Sequence, residues 1–307
     1  MLGGARRVSM AELLIKSGQR LGYEVKILSY ELMKQVPIAV VGRVIEGLKW
    51  TDPEVIDDIA QVVRDNDVNI ILPFVDGAIE IASKCREVLP DVFIPVSDFE
   101  LASSMFDKVE AAKTFKEHHL PIPKTYSVIN ADMPAIAKPR HGSASRGIKI
   151  FYNLEDLMHL ENLSDYLVQE YIEDCLEYTV DCYVSQEGEI LVTVPRLRIE
   201  VMGGEVTRTE TCHNEELEQL SRKVLEEFDF RGPVTLQFLY DKPSGRYLLM
   251  EVNPRLGGGV ICSIYAGAPI PDYILNEALG VDVARCDDWS DHTLMARYQK
   301  ETIFYEK

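Results

Sequence analysis

Two apolar runs, Gly232–Tyr240 and Tyr247–Val252, flank Asp241-Lys-Pro-Ser-Gly245 and constrain this 307-residue chain more than any other segment. Turn residues between two such runs predict a β-hairpin with a longer loop. Side chains alternate along a strand, so Glu251 and Asn253 share one face, while Leu248, Met250 and Val252 take the other. On the facing strand Gln237 interrupts Val234, Leu236, Phe238 and Leu239. A Gln, a Glu and an Asn on adjoining strands are hard oxygen donors of the kind that hold Mg²⁺ against a polyphosphate. Arg255 follows at the strand end, where a planar guanidinium can hold a phosphoryl group. The alternative is a surface hairpin with solvated polar residues. The recurrence of polar groups on one face, beside a Pro-Arg and three glycines, argues against it. The hairpin reads as a magnesium–ATP site.

Composition narrows the classes. A chain of this length holds two or three domains, and its hydrophobic content of 46% is that of a globular protein. No run of about 18 apolar residues is long enough for a membrane span, and Met1-Leu-Gly-Gly-Ala-Arg-Arg7 lacks the apolar core of a signal peptide. Six cysteines (85, 175, 182, 212, 262 and 286) occur without a C-x-x-C pair, so reduced thiols in a cytoplasmic protein are expected rather than a zinc site or a disulfide scaffold. The net charge of −18 speaks against a nucleic-acid partner. It also means that an anionic substrate must be met by locally placed cations.

The first 96 residues read as alternating helices and strands: Met10–Leu21, then Tyr23–Leu28; Pro53–Asp65, then Val68–Pro73; Ala78–Leu89, then Val92–Val96. That order predicts βαβ units and a parallel sheet. Leu2-Gly-Gly-Ala-Arg-Arg7 stands where a glycine turn follows a first strand, yet that strand is nearly absent; either the start is misplaced or the sheet edge is abbreviated. An uncompleted Gly-x-Gly-x-x-Gly gives little support to dinucleotide binding. A helix is expected over Glu100–His118, and Leu120-Pro-Ile-Pro-Lys124 is a rigid connector into a smaller lid. Within the lid, the strand Ala135-Ile-Ala-Lys138 leads into His141-Gly-Ser-Ala-Ser-Arg-Gly147. Small residues there let backbone N–H groups approach phosphate oxygens, and Ser143 and Ser145 add hydroxyl donors. Lys138 lies on an apolar strand, so its ammonium needs a partner that an α- or β-phosphate would supply. The spacing is not that of a P-loop.

These motifs together resemble the ATP-grasp superfamily, and Glu251-Val-Asn-Pro-Arg-Leu-Gly-Gly-Gly259 is close to that family's signature. The chain is similar to a single unit, about half of a carbamoyl-phosphate synthetase large subunit. The resemblance implies an α/β (α+β ATP-grasp) fold: a Rossmann-like parallel-sheet domain over 1–96, an ATP-grasp domain over 97–285 with a mobile lid at about 122–168, and a strand-rich tail over 286–307. It implies that Gln237, Glu251 and Asn253 are the metal ligands, with Glu251 bridging two Mg²⁺ (Mn²⁺ as the substitute), and that Arg255 steadies the transferred γ-phosphoryl. Lys108 and Lys138 match the two nucleotide lysines. By position Glu170, Tyr171 and Ile172 match the segment whose backbone reads adenine, and Glu177 matches the acid on the ribose. The N-terminal domain of such proteins often contributes to the acceptor pocket. Asp76 and Glu80 are candidates there, though a helix cap and a solvated face is the stronger reading.

Pro195-Arg-Leu-Arg-Ile-Glu200 adds Arg196 and Arg198 on one strand face, and Arg208 follows a Gly-Gly turn. Three arginines near the metal strands of an acidic protein suggest recognition of a carboxylate or phosphoryl group. The alternative is a salt-bridge ladder with Glu200, Glu205 and Glu210. Asp181 shares a face with Glu177 and is either a site residue or a structural partner for a nearby Arg. No Ser-His-Asp, Cys-His or H-E-x-x-H arrangement appears, and His141 is the only histidine near the site. Phosphoryl transfer, which works by positioning and charge neutralisation, fits that absence. The expected activity is an ATP-dependent carboxylate–amine (or ammonia) ligase acting through an acylphosphate, with Lys138, Arg196 and Arg255 in the catalytic set. Two alternatives remain: an enzyme of carbamoyl-phosphate type acting on bicarbonate or carbamate, and an ATP-binding subunit of a partner enzyme. A homodimer is left open.

Overall fold

The computed structural model describes residues 1–127, 130–142 and 146–305. The N-terminal part is built from α1 (Val8–Leu21), β1 (Leu28–Glu31), β2 (Arg43–Glu46), α2 (Val55–Asp65) and α3 (Asp76–Val88). Its strands are parallel, as expected: β1 pairs with β2, and single parallel bridges join Leu2 to Tyr30, Leu2 to Pro73 and Ile70 to Phe93. The strand expected over Tyr23–Leu28 begins only at Leu28. The segments expected over Val68–Pro73 and Val92–Val96 likewise appear as bridges rather than full strands. The reason lies in the sheet's centre. There Leu2 donates to Leu72 O and accepts from Phe74 N, and Met1 O accepts from Tyr30 N. A central strand two residues long leaves its neighbours without further ladder partners. A cavity of about 540 Å³ lies beside it, lined by Met1, Leu2, residues 23–28 and residues 66–72.

The helix expected over Glu100–His118 is two helices, α4 (Phe99–Phe106) and α5 (Lys108–Glu117). Asp107 breaks it. Its backbone is extended (φ −91°, ψ 101°), and its carboxylate accepts from the amides of Val109 and Glu110, an N-cap that satisfies two of the new helix's free donors. Lys108 thereby becomes the first residue of α5 instead of a mid-helix position. Next come β3 (Ala135–Pro139), β4 (Lys149–Phe151), the short α6 (Leu154–Met158) and β5 (Tyr166–Glu170). The three strands form a small antiparallel sheet in the order β4-β3-β5 over the apolar cluster Ala135, Ala137, Leu157, Leu160 and Val168.

The large sheet follows from β6 (Cys175–Val184), β7 (Ile190–Met202), β8 (Glu205–Thr211), β9 (Gly232–Asp241), β10 (Arg246–Asn253) and β11 (Leu294–Ala296), in the order β10-β9-β6-β7-β8-β11. Helix α7 (Glu215–Glu226) lies between β8 and β9 in sequence, and α8 (Val260–Tyr265) and α9 (Ile270–Ala278) follow β10. Val180, Cys182, Leu236, Phe238, Leu249 and Val252 point to the back of the sheet, where Met105, Ala111, Phe115, Leu217, Val224 and Leu225 cover them. Each fully buried Val, Leu or Phe in this layer contributes about 1.5–3 kcal/mol of transfer free energy. Alternation then obliges the intervening residues, Glu177, Thr179, Asp181, Thr235 and Gln237, to face the front. A second core joins α1 and α9 to Tyr183, Leu191, Val192 and Val194, which packs the N-terminal part against the sheet. Gly232 marks the closest approach. It has φ +72°, and a Cβ there would lie 2.0 Å from the carbonyl oxygen of Pro95. The C-terminal tail, expected to be strand-rich, holds the single three-residue strand β11 among its described residues.

Candidate active site

The front of the large sheet, the small sheet and the N-terminal part enclose a cleft of about 510 Å³. The hairpin β9–β10 forms its floor. Glu251 stands opposite Gln237, Asn253 opposite Thr235, and Thr179 of β6 opposite Gln237 on the other side. The three expected metal donors thus share one face. Gln237 and Glu251 line the cleft, as does Asn253, which is nearly buried. Their oxygens suit Mg²⁺, which takes one or two protein carboxylates and completes its octahedron with phosphates and water. Among the described residues no group of three or more His, Cys, Asp or Glu side chains could hold a metal ion. The alternation read from the sequence is corrected at one point. A bulge between Leu249 and Glu251 turns Met250 into the cleft and leaves Leu249 in the core. Two residues then oppose one on the partner strand, which a period-two pattern cannot reveal.

Lys138 projects from β3 toward this floor. Its Nζ donates to Gln169 Oε1 at 3.1 Å, and the Gln169 amide is anchored in turn on Thr125 Oγ1 and the Pro123 carbonyl. Burial lowers its ammonium to about 8; nearby Glu251 and Glu177 oppose that shift and Lys108 adds to it. A buried cation with one neutral partner is a site for an anion. Lys108, at the start of α5, donates to the carbonyl of Gly142 at 2.7 Å, and Arg140 returns along the same line to Asp107 at 2.6 Å. The base of the glycine-rich loop is therefore tied to the α5 N-terminus. Burial alone would raise the Asp107 carboxyl, but Arg140 and the two capped amides hold it below its usual range. Ser143 and Ser145 lie outside the described residues.

At the other end, Glu170, Tyr171 and Ile172 line the cleft together with Glu177. The Tyr171 amide already donates to the Pro134 carbonyl, and Glu170 Oε1 accepts from the Lys124 amide. Glu177 is half-exposed and accepts from Arg198 Nε at 3.1 Å. Arg198 also donates to Thr179 Oγ1 and the Gly204 carbonyl, tying the β7–β8 turn to the floor.

Arg196 departs from expectation. It is 1% exposed, and its guanidinium donates to both carboxylate oxygens of Asp181 (2.7 and 3.2 Å) and to Thr209 Oγ1 at 3.0 Å. Ser263 donates to the same carboxylate at 2.6 Å. A Cβ on Gly259 would lie 2.6 Å from Arg196 Nη1, so the glycine run rests directly on this pair. Arg196 lines the cleft while Asp181 and Thr209 hold its guanidinium in place, and Asp181 is the structural partner weighed as one alternative. Arg208 is exposed, 4.0 Å from Glu200, as the ladder reading anticipated. Arg255 is in the cleft. Its Nε donates to Asp76 Oδ1 at 2.8 Å and its Nη2 to Asn253 Oδ1 at 3.1 Å. Asp76, the first residue of α3, thereby joins the site; the cap reading is not borne out, because α3 has no side-chain cap and its N-cap position is Val75. The place of Asp76 just after Phe74 was the available signal. Arg7 and Glu205 also line the cleft; Arg7 carried no sequence signal, and Glu205 was read only as a ladder partner.

This geometry defines an ATP-grasp fold, and residues 162–301 match a family described as "ATP-grasp in the biosynthetic pathway with Ter operon". That match lies in the segment whose motifs resembled the ATP-grasp superfamily. The chain is 21% identical to the carbamoyl phosphate synthase large chain of Methanobrevibacter smithii over 76% of this chain and 25% of that one. To the D-aspartate ligase of Enterococcus faecium it is 24% identical, over 59% of this chain and 52% of the ligase. The chain thus spans about a quarter and about half of these two relatives. In structure it resembles the biotin carboxylase domain of 2-oxoglutarate carboxylase from Hydrogenobacter thermophilus, solved with MgADP, ADP and bicarbonate. That match has a TM-score of 0.75 and 16% identity, and covers 94% of this chain and 72% of the other. Among the described residues no helix is long and apolar enough to cross a membrane.

Proposed function

We propose that the chain is an ADP-forming ligase that joins a small-molecule carboxylate to an amine or ammonia through an acylphosphate. The observation that carries this reading is the shared face of Gln237, Glu251 and Asn253 under Lys138 and Arg255. Magnesium held by those three oxygens would neutralise polyphosphate charge, and one ion or two fit the reading. Lys138 and Lys108 would hold the phosphates, Glu177 the ribose, and the Tyr171 carbonyl and Ile172 amide the adenine. Arg255, fixed by Asp76, would face the γ-phosphoryl. A substrate carboxylate oxygen attacks the γ-phosphorus in line and ADP leaves. The amine then attacks the acyl carbon, inorganic phosphate departs, and the amine nitrogen loses a proton. No side-chain nucleophile is needed, since positioning and charge neutralisation supply the catalysis. The division into 1–96, 97–285 and a lid at 122–168 belongs to this reading, with the lid excluding water from the acylphosphate.

ADP release from Mg-ATP, measured with pooled carboxylates and amines, tests the proposal. Stimulation by a carboxylate–amine pool supports it; ATP binding without release in any pool would favour a subunit that completes a partner enzyme. A second reading, phosphorylation of bicarbonate or carbamate, draws on the similarity to the carbamoyl phosphate synthase large chain. It requires release with bicarbonate and ammonia alone.

Lys138→Met is expected to weaken nucleotide binding about 10- to 100-fold, since a hydrogen bond to a charged group is worth about 1.5–3 kcal/mol. The pH dependence has a definite sign. The ammonium is charged below about 8 and neutral above it, so wild-type affinity for ADP should fall between pH 7 and 9. The Met variant should lose that slope. Equal affinity of the two proteins at pH 7 would remove Lys138 from the site.

A further inference from the structure

Beyond the phosphate end, the cleft continues to a cluster that the proposed reaction has not used. Arg7, the residue before α1, reaches in from the N-terminal part, Glu205 opens β8, and Arg297 arrives from the tail just after β11. Arg297 Nη1 donates to Glu205 at 2.5 Å, whereas Arg7 Nη2 reaches the same carboxylate at 3.4 Å. The three groups converge on Gly258. A Cβ there would lie 3.1 Å from Arg7 Nη1, 3.2 Å from Arg297 Nη2 and 3.7 Å from the Glu205 carboxyl carbon. Arg297 also donates to the Gly258 carbonyl.

Arg7 is the member poised for a ligand. Its side chain is 19% exposed, and among the described residues its single hydrogen-bond partner is Glu205, leaving most of a five-donor fork unused. Burial and the nearby Arg255 and Arg297 guanidiniums lower its basicity, with Glu205 opposing. Burial would raise Glu205, but Arg7 and Arg297 hold its carboxyl below the usual range, so it stays ionised and holds both arginines in place. The positive end of α1 adds to the local potential. In a chain of net charge −18, cations gathered at one end of a cleft mark the place of an anion.

We propose that Arg7 is a substrate-binding residue reading a second carboxylate of the acid whose first carboxylate is phosphorylated beside Arg255. The substrate class is thus a small dicarboxylate or an acidic amino acid, not a simple monocarboxylic acid. A planar fork suits two-point recognition of a carboxylate, and Glu205 with Arg297 positions it. This rests on the ligase reading.

The test compares the wild type with Arg7→Gln and Arg7→Lys, with an unhydrolysable ATP analogue and Mg²⁺ present. Succinate, aspartate and butyrate are titrated calorimetrically. The wild type should prefer succinate or aspartate to butyrate by at least about 10-fold. Arg7→Gln should erase that preference, with a loss of about 10- to 100-fold, and Arg7→Lys should retain part of it. Affinity for the nucleotide should not change, which separates lost recognition from misfolding. Equal dicarboxylate affinity in wild type and Arg7→Gln, or a wild-type preference for butyrate, would overturn the subsite alone. Binding of the nucleotide with none of the three acids bound would overturn the subsite for this substrate class. If no carboxylate pool then stimulates ADP release, the ligase reading goes with it.

Discussion

Glu251→Gln is expected to reduce ADP release by about 10³-fold or more while the protein unfolds at nearly the same temperature. Glu251 supplies the only negative charge among the three oxygen donors on the floor; Gln237 and Asn253 are neutral. The amide keeps the shape and the β10 register but removes the charge that balances a divalent cation. Stabilisation of transition-state charge by a bound metal is worth several kcal/mol, and about 4 kcal/mol is close to a thousandfold in rate. Fold stability should hold because Glu251 lines solvent-accessible space and leaves no buried charge behind. A second readout comes from Lys138, whose basicity Glu251 supports. The variant should therefore lose nucleotide affinity at a lower pH than the wild type. Turnover within 10-fold of wild type would sink the metal assignment.

Asp181→Ala should have the largest effect on stability, about 3–5 kcal/mol, seen as a fall in the denaturant midpoint with an unchanged slope. The residue is 1% exposed and anchors Arg196 through two hydrogen bonds, with Ser263 as a third donor. Removing it leaves a guanidinium buried with Thr209 as its remaining side-chain partner. A double substitution separates this cause from simple loss of packing. Adding Arg196→Met to Asp181→Ala removes the stranded charge and should restore part of the loss. Strictly additive losses would show that the pair is not coupled. Because Gly259 rests on Arg196, the single variant should also loosen the glycine run and weaken ATP turnover in the surviving folded fraction.

The sequence was informative wherever the controlling interaction is local. The hairpin turn, the alternation that brings Gln237, Glu251 and Asn253 to one face, and the Lys138 strand depend on neighbours within a few residues. Period and chemistry sufficed for them. The bulge at Met250 was not legible, because one extra residue in a ladder is decided by how β10 meets β9. The break at Asp107 was not legible either. Its carboxylate caps α5 and also binds Arg140, 33 residues away, and no helical pattern records that partner.

Charged residues show the division most clearly. Arg196 and Arg198 looked alike as arginines on one strand face, Arg255 stood apart at a strand end, and the fold gave each a different set of partners. Arg196 is buried on Asp181, Arg198 holds Glu177 and the β7–β8 turn, and Arg255 faces the cleft on Asp76. Asp76 and Arg255 lie 179 residues apart, and Arg7 and Glu205 lie 198 apart. Sequence by itself determined the donor chemistry and the faces on which it stands, since backbone alternation and turn geometry are short-range. Tertiary structure alone decided which charges meet. A salt bridge depends on distance and burial in space, and the chain carries neither as a local signal.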